Sequence, residues 1–182
     1  MSEKGDISDK YYIGHLVPAR KLCPWRDHGK GEMEGSMKIE DVLRAKGHQV
    51  ETCTPDTPVH DVSLQLYRKS IGALVVSRDG AHIDGIISER DIVLGFAHDA
   101  AGLVHRTARE LMTTRVITCS PEDHLTGVMA IISSRRVRHL PVVKDGRLVG
   151  IISIGDVLKA RLEEVELEAN VLRDVYLAGH AY

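Results

Sequence analysis

Two tetrapeptides carry most of the chemistry in this chain, Ser88-Glu89-Arg90-Asp91 and Ser153-Ile154-Gly155-Asp156. Each sets a hydroxyl three residues before a carboxylate, after an apolar run (Gly85-Ile86-Ile87, Gly150-Ile151-Ile152) and at the start of a helical pattern. At such a strand-to-helix junction, free backbone N–H groups and the helix dipole favour a phosphate. The carboxylate one turn further in has two acceptor oxygens and suits the two hydroxyls of a ribose. The same spacing also fits a capping box, in which Ser caps the helix and the acid reaches back. Repetition does not separate the readings, because each copy needs a helix start.

The most basic run is Arg135, Arg136, Arg138 and His139. A guanidinium fork matches phosphate oxygens. Arg135 and Arg136 also read as a solvated helix C-terminus complementing the dipole, which leaves Arg138 as the stronger candidate. No catalytic constellation assembles: Ser88 beside Asp91 lacks a local His, and Walker and Rossmann fingerprints are absent. The chain is therefore expected not to be an enzyme. Ten histidines are scattered, and no Cys or His pair recurs at ligand spacing in both copies. Cys23 with His28 is the nearest to a metal pair, and no metal site is expected.

Composition narrows the partners. The 182 residues are 43% hydrophobic and 27% charged with a net charge of -2, which gives no general electrostatic reason to bind nucleic acid or anionic membrane. No stretch approaches the roughly 18 apolar residues of a membrane span, and the N-terminus lacks the apolar core of a secretory signal. Of three cysteines, Cys53 and Cys119 occupy equivalent places before a Pro, which predicts reduced, structural thiols. The expected compartment is the cytoplasm, or an organelle matrix in a plant.

A repeated unit must position these groups. The segment Gly85 to Val93 returns 65 residues later as Gly150 to Leu158, and Thr52-Cys53-Thr54-Pro55 returns 66 residues later as Thr118-Cys119-Ser120-Pro121. A period of that length signals two copies of one small unit. A unit of about 60 residues is marginally stable alone, so the copies are expected to share a core. Each reads as extended, helical, extended, extended, helical. Ahead of them, Ile39, Val42 and Leu43 fall on one face of a helix that Gly47 stops. Thr57-Pro58 opens a helix with Val59, Val62, Leu66 and Tyr67 inward, and Pro121-Glu122 opens its counterpart with Val128, Met129, Ile131 and Ile132. Asp79-Gly80 joins Ala73–Val76 to Ile83–Ile87, and Asp145-Gly146 joins Leu140–Val143 to Leu148–Ile152, as hairpins. The last helix runs from about Gly155 to about Ala178. Its stripe of Leu158, Leu162, Val165, Leu172 and Tyr176 predicts packing, against a second subunit or in a partner's groove. The expected organisation is an irregular arm over 1–36, a first repeat over 37–104, a second over 105–160 and a helical extension over 161–182.

A tandem β-α-β-β-α unit with Gly-apolar-apolar-Ser-x-x-Asp leading into its last helix resembles the cystathionine β-synthase (CBS) domain. Arg138-His139-Leu140-Pro141-Val142-Val143 strengthens the likeness to stand-alone CBS-pair proteins of bacteria and plant organelles. The resemblance implies an α/β (α+β) pseudo-twofold pair that senses an adenosine ligand: AMP, ADP, ATP, NAD(H) or S-adenosylmethionine. It implies a first cleft of Ser88, Arg90 and Asp91 with Val116, Ile117, Val137, Arg138 and His139. A second would use Ser153, Gly155 and Asp156 with Val50, Ile71 and Gly72. Gly72 and Ala73 stand where the other copy has Arg138 and His139, so the sites are expected to be unequal, the Asp91 cleft taking the phosphorylated ligand and the Asp156 cleft being either weaker or suited to a less charged adenosyl group. Such pairs pair face to face as homodimers or act on a partner protein in trans. The rival expectation is a structural or protein-interaction module with unused clefts.

Overall fold

The structure, a computed structural model, describes residues 37–179. The arm expected over 1–36, with Cys23 and His28, lies outside the described residues. The elements run α1 (Ile39–Lys46), β1 (Thr52–Cys53), α2 (Val59–Lys69), β2 (Ala73–Val76), β3 (Gly85–Ser88), α3 (Glu89–His98), α4 (Ala108–Leu111), α5 (Leu125–Arg135), β4 (His139–Lys144), β5 (Arg147–Ser153) and α6 (Ile154–Gly179). A 3-10 turn, Leu103–His105, precedes α4.

In the first unit β1 pairs parallel with β2, which pairs antiparallel with β3. In the second, Cys119 bridges parallel to Val142, and β4 pairs antiparallel with β5. Asp145 and Gly146, at φ 50° and 78°, form the positive-φ turn that fits the twist of a two-residue hairpin. Copy one departs from this expectation. Its strand starts at Gly85 and Ile83 falls in the connection. Asp79 there accepts from the N–H groups of Ala81 (2.8 Å) and His82 (2.7 Å), stabilising a wider loop.

Each short leading helix packs on the other repeat. Ile39, Val42 and Leu43 of α1 join the core of the second unit, with Leu125, Val128, Leu140 and Ile152. Ala108 and Leu111 of α4 join that of the first, with Val62, Leu74 and Ile87. The exchange is reciprocal in the backbone: Ile39 N–H donates to Asp123 O and Glu40 N–H to Pro121 O, as Ala108 N–H donates to Thr57 O and Arg109 N–H to Pro55 O. This corrects the reading of Pro121 as a helix opener. Pro121 matches Pro55 in the turn ahead of the helix, and α5 starts at Leu125 after His124.

Tyr67 is the other correction, being 83% exposed. It lies about 100° round the helix from Leu66, off the Val59–Val62–Leu66 face. The α6 stripe is exposed within the chain. Val157 and Ala160 reach the core, whereas Leu158, Leu162, Val165, Leu172 and Tyr176 face outward, as do Val93, Leu94 and Phe96 of α3. Cys53 and Cys119 are buried, and burial pushes the Cys53 thiol up to about 11.

Candidate functional site

The end of β3 and the start of α3 form one wall of a cavity of about 500 Å³, with Ile86, Ser88, Arg90, Asp91 and Val93. The segment after α4 brings Thr113, Arg115, Val116 and Ile117, and the lead into β4 brings Arg136, Val137, Arg138 and His139. All eight residues assigned to the first cleft on sequence therefore share this one cavity. Thr113, Arg115, Arg136 and Glu89 join them. Arg136 reaches it by adopting φ 53° as the C-cap of α5, and Arg115 reaches it from beside Val116. Arg136 stood in the basic run read on sequence, whereas Arg115 does not stand out there without the packing of α4.

Ser88 N–H and Oγ–H both donate to Asp91 Oδ2, at 2.8 and 2.6 Å. Ser153 repeats this on Asp156 Oδ2 at 2.7 Å each, and Asp156 N–H donates back to Ser153 Oγ at 3.2 Å. Both Ser-x-x-Asp pairs thus act as caps. The first helical N–H groups are also engaged: Glu89 N–H donates to Gly72 O and Ile154 N–H to Arg138 O. The expectation of free N–H groups for a phosphate at Ser88 is corrected accordingly. The extended backbone crossing each junction takes the first donor. Four guanidinium groups (Arg90, Arg115, Arg136, Arg138) against two carboxylates (Glu89, Asp91) line the cavity and suit phosphate oxygens.

The residues assigned to the second cleft are dispersed differently. Ser153 and Asp156 lie together, joined by Lys46, whose Nζ is 2.6 Å from Asp156 Oδ2. Gly155 is exposed beside Ser153, Val50 is half-buried, and Ile71 packs against the first core. Gly72 instead lines the Asp91 cavity. A Cβ there would lie 2.9 Å from His139 Cε1, so its lack of a side chain admits the imidazole.

Burial pushes the His139 imidazole below its ordinary value, with Lys46 and Arg138 adding to this and Glu89 and Asp156 opposing. Above about pH 6.5 neither folded nor unfolded His139 is charged. As pH falls below that, the unfolded chain takes a proton the folded chain refuses, so stability declines toward the lowered folded value. His139→Asn is expected to flatten the melting profile of the chain between pH 6.5 and that value, as scanning calorimetry across pH would record.

Two copies of one α/β unit, exchanging their leading helices and facing a cation-lined cavity, define a tandem-repeat pair. The model of the CBS domain matches residues 39–98 and 108–163, and the chain belongs to the CBS-domain family. It is 32% identical over 152 residues to the CBS domain-containing protein CBSX3, mitochondrial, of Arabidopsis thaliana, covering 79% of this chain and 73% of that one. Among solved structures, the CBS-domain protein ATU1752 of Agrobacterium tumefaciens matches with TM-score 0.66 and 39% identity over 69% of this chain and 99% of that one. The CBS domain pair of protein MJ0100, solved in complex with 5'-methylthioadenosine and S-adenosyl-L-methionine, shares the fold at TM-score 0.63 and 24% identity, over 71% of this chain and 98% of that one. CBS-domain proteins are generally regulatory and not catalytic. Among the described residues no helix is long and apolar enough to cross a membrane, and no three His, Cys, Asp or Glu side chains gather as metal ligands.

Proposed function

We propose that this CBS pair is a regulatory sensor of an adenosine nucleotide, held in the Asp91 cleft, which biases its assembly or its hold on a partner protein. The observation that carries the reading is the composition of one cavity: Asp91 for a ribose, Val116, Ile117 and Val137 for a base, and Arg90 and Arg138 for phosphate. A cavity of about 500 Å³ falls within the range of small-molecule sites. Adenosine compounds bound to the MJ0100 pair support the ligand class. The exposed apolar faces of α3 and α6 favour a homodimer as the assembly that responds. Asp91 satisfied by its own cap favours the rival reading of an interaction module with unused clefts.

A thermal-shift panel of AMP, ADP, ATP, NAD(H) and S-adenosylmethionine separates the two. A ligand at 100 times its Kd adds about 2.7 kcal/mol of stability, so a melting rise of roughly 5–10 °C is expected for a chain of this size. No rise with any of them would leave the interaction module. Sedimentation velocity with and without the binding nucleotide reads the assembly, and product analysis of the same mixtures tests turnover.

A further inference from the structure

One oxygen of the Asp156 carboxylate is already engaged by the chain itself. Lys46 Nζ donates to Asp156 Oδ2 at 2.6 Å and to Ile151 O at 3.1 Å. Ser153 N–H and Oγ–H fill the same carboxylate oxygen. Asp91 has the corresponding two bonds from Ser88, and among the described residues no cation pairs with it. The difference begins in element length. Helix α1 has eight residues and α4 has four, so Lys46 stays on the helix, whereas Arg115, its equivalent in the second copy, lies beyond the end of α4 and lines the Asp91 cavity without bonding to Asp91. The pair is partly shielded, with side chains 35% and 22% exposed, which strengthens it above a fully solvated ion pair.

A ribose and an ammonium want the same thing from Asp156, namely its acceptor oxygens. We propose that Lys46 is an internal plug that occupies the Asp156 carboxylate in place of a ligand, so that each chain binds one adenosine ligand and Lys46 determines that number. The inference rests on the adenosine reading of the Asp91 cleft. The core residues of α1 are Ile39, Val42 and Leu43, so replacing Lys46 leaves its packing face intact.

Isothermal titration of the full chain with adenosine tests it, since adenosine brings no phosphate for the cation-poor side to neutralise. Wild type and Lys46→Arg are expected to bind one equivalent and Lys46→Met two. The added site is expected to persist in Lys46→Met with Asp91→Asn, and to vanish on further Asp156→Asn. Two equivalents in wild type, or one in a folded Lys46→Met, overturns the plug and leaves the nucleotide reading intact. No binding by either protein, at AMP as well as adenosine, overturns both. Lys46→Gln repeats the comparison should Lys46→Met fail to fold.

Discussion

Asp91→Asn is expected to weaken adenosine, AMP and ATP alike by about 10- to 100-fold, the loss of a hydrogen bond to a charged group being about 1.5–3 kcal/mol. On the proposed reading, Arg138→Ala is expected to weaken AMP and ATP by about tenfold while leaving adenosine within about twofold, because the guanidinium would meet phosphate and not the nucleoside and is exposed to solvent screening. The two substitutions therefore divide one ligand into sugar and phosphate. Asp91 also caps α3 through Ser88, and Asn keeps an oxygen for that N–H, so Asp91→Asn lowers affinity with little change in melting temperature. Asp91→Ala loses the cap as well, at about 1 kcal/mol of stability. Isothermal titration with the three ligands, beside melting curves of each variant, makes the comparison. Equal loss of adenosine and AMP in Arg138→Ala would remove Arg138 from the phosphate, and unchanged affinities in Asp91→Asn would remove the ribose from Asp91.

The parts of this site that could be read from the chain are those on one continuous segment. Ser88 and Asp91 are three residues apart and share a helix start, and the run Arg136 to His139 leads straight into β4, so spacing alone set them at element ends. What spacing could not reveal depends on partners across the fold. An amphipathic face tells that Ile39 and Leu43 are buried but not against which repeat, and the answer is the second. Lys46 meets Asp156 only because α1 crosses to that repeat. The engaged N–H of Glu89 is hidden from a linear reading because its acceptor is Gly72, remote in sequence. Tyr67 misleads for a local reason, since an aromatic ring at the edge of an apolar face can turn either way. The repeated glycines read on sequence only as part of a motif. Their reason is steric: a Cβ on Gly85 would lie 2.6 Å from Met112 Sδ, and one on Gly150 would lie 2.7 Å from Leu43 Cδ2. In both copies the strand glycine is where the exchanged helix lands.

That landing makes Leu43 the residue whose truncation should cost most stability. Leu43→Ala is expected to destabilise the chain by about 2–5 kcal/mol, lowering the melting temperature by roughly 4–20 °C for a chain of this size. Leu43 is fully buried, and its methyl groups lie directly over the Gly150 backbone, where no side chain can lean in to close the space. Poor collapse places the cost toward the upper part of that range, since a cavity that stays open adds to the lost transfer energy. Gly150→Ala alone is destabilising for the opposite reason, because its Cβ would come within 2.7 Å of Leu43 and overpacking strains a dense core. Combined, the two changes are expected to compensate: the methyl group that Gly150→Ala adds enters the space that Leu43 vacates, so the double variant is more stable than the sum of the single losses predicts. Chemical denaturation of the four proteins measures the coupling. Strict additivity would mean that α1 does not rest on β5 as described, and the exchange of leading helices, which also carries Lys46 to Asp156, would lose its anchor.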